Sequence, residues 1–567
     1  MAANSSIRRK TLDAPASLQP RTTPSTATIQ SPQHPPLDTM PAQLISDMPP
    51  VATTRANGSP ALLRKQSSPM MPPFMVSAPG KVIVYGEHAV VHGKAAIAAA
   101  ISLRSYLHVS FFSKSNRTVK LRFPDIQMEH TWNVDDLPWD VFQKSGKKKY
   151  YYDLVTSLDP DLMVAIQPFI DEVSPKAPEA IRKIHHASAC SFLYLFLSLA
   201  SRKVPPCVYT LRSTIPIGAG LGSSASISVC ISTALLLQIR ALSGPHQDQP
   251  PQECELNIER INRWAFVGEM CIHGNPSGVD NTVSSGGKAV LFQRVDYDKP
   301  PMVKTLYNFP ELPLLLVNTR QSRSTATEVA KVGHLHKQHP ALTENILNAI
   351  GLITESAHKL ITAPDFDATS HESLKYLGEL VTMNHGLLVS LGVSHPKLER
   401  VRELIDHTGI GWTKLTGAGG GGCAISILKP QPTRLSNGHG THHHDSSSDE
   451  SETSEEAEVD CNASIISNGT KLKYKILDSL EIKLENEGFE KFETTLAGDG
   501  VGVLWPAVLH NGNEEEGGEE IDQEKFLKAE GTVGIERLVG VASSRRNRVR
   551  EVREGWKFWR PWETPDR

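Results

Sequence analysis

The sequence predicts a chain of mixed strands and helices folded into two or more domains, and three observations carry that expectation. Its 567 residues exceed what one ordinary core holds. Short β-like apolar runs at 82–85, 412–415, 424–428 and 502–505 occur beside longer runs at 187–200 and 227–239 that suit buried helices. Three glycine-rich segments lie hundreds of residues apart, so they form one site only if the chain folds them together.

Composition excludes several classes. A net charge of −3 gives no basic excess for nucleic acid, whereas a small anionic substrate needs only a local positive cleft. The seven cysteines are odd in number and scattered, without a Cys-x-x-Cys pair or a Cys/His metal spacing, which fits a reducing compartment. The longest apolar run, 187–200, is too short to span a bilayer and reads as a core helix. With no apolar leader and no peroxisomal address at the C-terminal Pro-Asp-Arg, the cytoplasm is the expected location.

Residues 1–70, rich in Pro, Ser, Thr and Gln, read as a disordered extension. Next, Ser77-Ala-Pro-Gly-Lys81 turns into the first strand, which Lys81 opens, and Glu87 and His88 follow it. These two either face a substrate or couple their loop to Lys81, and His88 equally fits a structural histidine. In Pro216-Ile-Gly-Ala-Gly-Leu-Gly-Ser-Ser-Ala-Ser226, three glycines run into two serines and a helix-like segment. Such a stretch reads as an anion cradle, because glycine lets backbone approach a ligand and the helix N-terminus favours phosphate, or as a tight turn before an ordinary buried helix, and the two other glycine segments decide for the cradle only if the fold brings them together. The candidate cradle is Gly218, Ala219, Gly220, Leu221, Gly222, Ser223, Ser224 and Ala225, with Ser223 equally suited to cap the helix.

Glu269 ends a helical pattern through Ile258, Ile261, Trp264 and Ala265, where a solvated acid is the commonplace alternative to a functional one. Asp280 sits in the turn-rich Asn275-Pro-Ser-Gly-Val-Asp-Asn281, which holds a carboxylate in a fixed place or caps a helix. Thr325-x-x-Glu328 reads as a capping box that opens a helix. In Lys414-Leu-Thr-Gly-Ala-Gly-Gly-Gly-Gly-Cys423, glycines between two β-like runs allow a loop to close on a ligand, with Gly417, Ala418 and Gly419 foremost. A polar, serine- and acid-rich insert at 430–468 reads as a passive solvated loop, after which an apolar pattern resumes through Leu480, Leu484, Phe489 and Leu496. Beyond Ala507, opposite charge blocks suggest a disordered tail that can be trimmed without harm.

The three glycine segments resemble the three motifs of the GHMP small-molecule kinases over roughly residues 74 to 505. Within that superfamily, Gly86-Glu-His-Ala-Val-Val-His-Gly93 and His273-Gly-Asn-Pro-Ser-Gly-Val-Asp-Asn281 resemble the mevalonate kinase family. Neither a Walker-type Gly-x-x-x-x-Gly-Lys-Ser/Thr nor the His-Arg-Asp and Asp-Phe-Gly pair of protein kinases occurs. The resemblance implies an α+β, two-domain fold: residues 71–310 like ribosomal protein S5 domain 2 and residues 311–506 ferredoxin-like, with ATP between them. It also implies phosphorylation of mevalonate with Asp280 as catalytic base and Lys81 as its cationic neighbour. Ser224 and Glu269 would hold Mg²⁺, and Glu87, His88, Thr325, Gly417, Ala418 and Gly419 would face substrate. Homodimerisation, and inhibition by a prenyl diphosphate at the ATP site, are further implications. Another GHMP small-molecule kinase, or a non-catalytic ligand sensor on the same fold, are the alternatives. A sensor would lack one of Lys81, Ser224, Glu269 or Asp280, and all four are present.

Overall fold

The computed structural model describes residues 71–112, 116–246, 248–296, 301–367, 369–429, 475–510, 518–540 and 555–562. The expected N-terminal extension, 1–70, and the insert, 430–468, lie outside the described residues. Strands β1 (Phe74–Tyr85), β2 (Ala95–Phe111), β3 (Thr118–Phe123) and β4 (Met128–Asn133) precede helices α1 (Trp139–Phe142), α2 (Pro160–Asp171) and α3 (Glu179–Leu199). Then come β5 (Cys207–Ser213), helices α4 (Ser223–Gln238), α5 (Pro251–His273) and α6 (Val279–Gly286), and the antiparallel pair β6 (Ala289–Gln293) and β7 (Met302–Leu306).

The second half runs β8 (Leu312–Asn318), α7 (Thr325–Gln338), α8 (Pro340–Ile361), α9 (His371–Ser390), α10 (Pro396–Asp406), β9 (Gly411–Leu415) and β10 (Cys423–Leu428). Helix α11 (475–486), β11 (Glu490–Leu496) and β12 (Gly502–Leu504) follow. The expected boundary at 310 falls in the connection between β7 and β8.

One sheet path, β15-β12-β1-β2-β11-β8-β10-β9, joins the two halves, its end strand β15 (Lys557–Phe558) coming from the C-terminal segment. The 17-residue β2 is its spine: Ala95–Ala99 pair with β6, Ser105–Phe111 pair with β5, Ile101 meets Leu496 of β11, and β1 lies along the other side. Helices α3, α4 and α5 cover this half. The run expected as a core helix is α3, buried at every position from Ala189 to Leu199, where Phe192 and Phe196 pack with Leu235, Ile261 and Trp264. In the second half the period-2 alternation of β8 sends Leu314 and Leu316 to one core and Leu315 and Val317 to another, so the sheet is covered on both faces.

The C-terminal tail departs from expectation. Its described residues form β13 (Val508–Leu509), β14 (Glu519–Glu520), α12 (Gln523–Lys528), α13 (Gly531–Leu538) and β15. The physical reason is a set of widely spaced anchors: Ile521, Phe526, Ile535 and Val539 bury themselves with Met75, Tyr106, Leu504 and Leu509. Trp559 is fully buried, and Arg560 binds Asp499 with both Nε and Nη2, at 2.7 and 2.8 Å. Charge blocks dominate the local composition, but these few apolar residues supply a core contact. Trimming this segment therefore exposes a core instead of removing a solvated tail.

Two outcomes follow for stability. Truncation after His510 should lower the melting temperature markedly, and an unchanged melting curve would place the segment outside the core. His108, whose Nε2 bonds the Ile521 carbonyl at 3.2 Å, is pushed by burial from 6.5 down to about 4. The unfolded chain thus takes up this proton first as the medium is acidified. The group's contribution is complete above pH 6.5 and is lost as pH falls toward 4, a change of about 3 kcal/mol at ~1.4 kcal/mol per pH unit. Urea unfolding of His108→Gln at pH 7 and pH 5 should show a weaker pH dependence than the unaltered protein.

Candidate active site

The site begins where β1 meets the central glycine loop. A register irregularity between Pro79 and Lys81 in the β1–β2 ladder re-aims the strand, and the Lys81 N–H donates to the Leu221 carbonyl at 2.8 Å. Gly218, Gly220 and Gly222 all take left-handed φ between 72° and 76°, which curls the loop and ends it at the first turn of α4. Ser226 N–H makes the first bond within that helix, to the Gly222 carbonyl at 3.0 Å. The amides of Ser223, Ser224 and Ala225 are therefore left outside the helical ladder, at the positive end of its dipole. A side chain at Gly222 would approach Lys81 Cγ to 3.1 Å, so glycine there lets the loop lie on the charged pair below.

That pair is Lys81 Nζ and Asp280 Oδ1, 3.3 Å apart. Lys81 is nearly buried and also donates to the Gly220 carbonyl at 3.5 Å; Asp280 is about one-third exposed and sits in the first turn of α6, after a left-handed Gly278. Beside it, the Ser224 hydroxyl donates to Glu269 Oε2 at 3.3 Å and lies 3.0 Å from His273 Nε2. Glu269, near the end of α5, is buried, and its Oε1 has no hydrogen-bond partner among the described residues. Burial first, and then the nearby charge of Asp280, push its carboxyl up to about 7, against the pull of Ser224 and Lys81.

Lys81, Asp280, Ser224 and His273 line one cavity of about 700 Å³. Gly218, Gly220, Leu221, Gly222, Ser223 and Ser224 line it together with Lys81, Asp280, Arg323, Thr325, Gly417 and Ala418. The rest of its wall is largely apolar, with Phe123, Ile126, Ile184, Ala187 and Leu211, but also carries Asp125 and Lys183. Glu269 lines a smaller adjoining pocket of about 190 Å³ with His273 and Asp280.

The third glycine segment reaches this site through side-chain contacts to its neighbours. Thr416 Oγ1 accepts from Ile83 N–H at 3.1 Å and donates to the Ile83 carbonyl at 2.9 Å, fixing the segment to β1. Arg323 bridges the two loops, donating to the Ala219 carbonyl at 3.0 Å and the Thr416 carbonyl at 3.3 Å. The sequence places Arg323 beside the expected capping box but does not single it out, and its role appears only once the loops converge. His273 was visible only as part of a motif, although its place one helical turn after Glu269 carries the signal.

Several expected residues sit elsewhere. Glu87 is buried away from the cavity, ion-paired with Lys414 and accepting from Asn384 Nδ2 at 2.9 Å. His88, with φ 61°, is buried and donates from Nε2 to the Ala418 carbonyl at 2.9 Å, so it supports the third loop from behind. Ala219 contributes its carbonyl to Arg323, and Ala225 is packed inside α4. Gly419 packs so closely on Val393 that a Cβ would lie 2.0 Å from its carbonyl oxygen. The helix cap falls one residue before the expected box: Ser324, in extended conformation, accepts from Thr327 N–H at 3.3 Å. Thr325 is thereby freed to line the cavity, and Glu328 pairs with Lys331 at 2.8 Å.

The Glu87–Lys414 pair makes a stability prediction. Burial lowers the Lys414 ammonium while Glu87 raises it, so the lysine depends on its partner. Lys414→Met should cost about 3–5 kcal/mol in urea unfolding, because a buried carboxylate is left uncompensated, and pairing it with Glu87→Gln should recover part of that loss.

Comparison with known proteins agrees with this architecture. The GHMP kinases N terminal domain matches residues 191–288, and the GHMP kinases C terminal domain matches residues 365–436. The chain is 63% identical to the mevalonate kinase of Gibberella zeae over 88% of its own length and 90% of that protein. It is also 63% identical to the mevalonate kinase of Aspergillus fumigatus, over 88% of this chain and 84% of that one. The solved mevalonate kinase of Methanococcus jannaschii superimposes with a TM-score of 0.48 at 20% identity, covering 76% of this chain and all of that one.

Proposed function

The chain belongs to the mevalonate kinase family of the GHMP kinases, and we propose that its Lys81, Asp280, Ser224 and Glu269 carry the chemistry of that family. The reaction is ATP-dependent phosphorylation of (R)-mevalonate at its 5-hydroxyl, giving 5-phosphomevalonate for isoprenoid and sterol synthesis. One observation supports the residue roles above all: a lysine and an aspartate 3.3 Å apart on the wall of a cavity also lined by a glycine loop at a helix N-terminus.

In this reading the amides of the glycine loop and of the α4 first turn bind the triphosphate, and the apolar part of the cavity wall takes the base. Mevalonate lies beside Asp280, Arg323 and Thr325. The 5-oxygen attacks the γ-phosphorus, the bond from that phosphorus to the bridging oxygen breaks, and ADP leaves with the electron pair. A carboxylate is too weak a base to ionise a free alcohol, so Asp280 orients the hydroxyl and takes its proton as the new bond forms. Lys81 opposes the negative charge that develops on the transferring group. Arg323, by holding both glycine loops, keeps the reacting ends in register.

Magnesium fits the pair formed by Ser224 and Glu269. A hydroxyl and a carboxylate are hard oxygen donors, and the partnerless buried Oε1 of Glu269 is an acceptor that a cation would satisfy. When bound, the ion would neutralise phosphate charge. The apolar part of the wall also suits a prenyl chain with its diphosphate on the cradle, which makes a prenyl diphosphate an inhibitor competitive with ATP. Among the described residues no helix is long and apolar enough to cross a membrane, and the six described cysteines are free thiols.

A coupled assay with purified protein, ATP, Mg²⁺ and mevalonate tests the function directly; nucleotide binding without turnover would favour a sensor. Asp280→Asn should keep nucleotide binding but lose 10²–10⁴ of turnover, and activity above about a tenth of the unaltered protein would remove Asp280 as the base. Lys81→Met should lower kcat more than it raises KM, whereas a pure KM effect would assign Lys81 to ground-state binding.

A further inference from the structure

Arg212 connects the docked C-terminal segment to the cavity wall. Arg212, on β5, donates from Nη1 to the carbonyls of Phe526 and Leu527 in α12, at 3.1 and 2.8 Å. From Nε it donates to Asp125 Oδ1 at 2.8 Å. The other carboxylate oxygen of Asp125 accepts from Ser213 N–H at 2.7 Å, so the carboxylate is gripped at both oxygens. Asp125 lines the cavity, as do Phe123 and Leu211.

Helix α12 is itself fixed to the sheet. Phe526 is fully buried, and Gln523 accepts from Ser110 at 2.8 Å and donates to Thr210 at 2.9 Å. Glu524 pairs with Arg122 at 3.0 Å. Without α12, the nearly buried guanidinium of Arg212 would lose two acceptors, and its hold on Asp125 would no longer have a fixed direction.

We propose that Arg212 is a positioning residue that couples the C-terminal segment to the nucleotide part of the cavity by orienting Asp125, so that this segment sets the affinity for ATP and leaves the chemical step alone. The inference rests on the reading of the cavity as an ATP site. Asp125 follows β3 and Arg212 lies on β5, whereas Lys81 lies on β1 and Asp280 on α6, so a disturbance at Asp125 acts through a part of the cavity wall that carries neither reacting group.

The test compares Arg212→Met, Arg212→Lys, Asp125→Asn and Phe526→Ala in the full-length protein. Each is measured for thermal unfolding, for ATP dissociation constant without mevalonate, and for kcat and both KM values. Arg212→Met should weaken ATP binding and raise its KM about five- to tenfold, with kcat and the mevalonate KM within about twofold. Arg212→Lys should recover only part, since one ammonium cannot span the carboxylate and two carbonyls in the fixed geometry of a guanidinium. Phe526→Ala should reproduce the ATP effect with Arg212 intact, and the double variant should add little to either. If Phe526→Ala does not fold, Asp125→Asn decides the matter by the same rise. A folded Arg212→Met protein with ATP binding unchanged within twofold, or one that loses kcat alone, overturns the proposal. Failure of the unaltered protein to phosphorylate mevalonate would overturn the reading of the reaction instead, while the ATP dissociation constants still decide the role of Arg212.

Discussion

The active site depends on the backbone of β1 being bonded to two glycine loops within three residues. Lys81 N–H holds the central loop at Leu221, and Ile83 exchanges both of its main-chain bonds with Thr416 at the head of the third loop. Loops rich in glycine have much conformational freedom to lose, and by themselves would not keep a phosphate-sized gap at constant width. Tying both to one strand, with Arg323 as a cross-brace between them, turns two floppy segments into walls of a single cavity. Lys81 then arrives at the right depth because its own backbone is part of the tie.

Charge is managed around this frame by separation of roles. Lys81 and Asp280 face each other at the border of the cavity, where partial exposure leaves the pair open to it. Lys414 and Glu87 face each other with no exposure at all, and their pairing is structural. Glu269 lies between these cases: buried, close to a like charge, and held by the Ser224 hydroxyl with His273 Nε2 at 3.9 Å, it carries a carboxyl raised to about 7. Such a group is costly for the fold alone, and a cation would relieve the cost.

Much of the site was legible because its residues act through local backbone or helical spacing. Glycines 218, 220 and 222 announce a loop wherever they occur, and Ser224, Glu269 and Asp280 stand at the ends of helices or turns that their own neighbours specify. What stayed illegible were pairings over long sequence separations. Nothing near Glu87 in the sequence says that Lys414 will neutralise it, and nothing near Arg323 says that two loops will meet at its guanidinium. The displaced cap at Ser324 is a milder case, since serine and threonine at adjacent positions offer equivalent chemistry and the chain's entry angle chooses between them. The C-terminal segment failed for a compositional reason: its anchors are few and far apart among charges, so an average over neighbours hides them.

The sheet order has a consequence for how the protein is made. The first strand, β1, finds its neighbour β12 only after residue 502 is synthesised, β12 finds the end strand β15 only after residue 557, and β2 waits for Leu496 of β11. At translation rates of about 5–20 residues per second, an emerging chain holds these apolar strands without their final partners for on the order of tens of seconds. During that interval β1 and β2 hold each other by their own ladder while the edges they keep for β12 and β11 stay open, and those edges are where a chaperone that shields strands would find its longest-lived target.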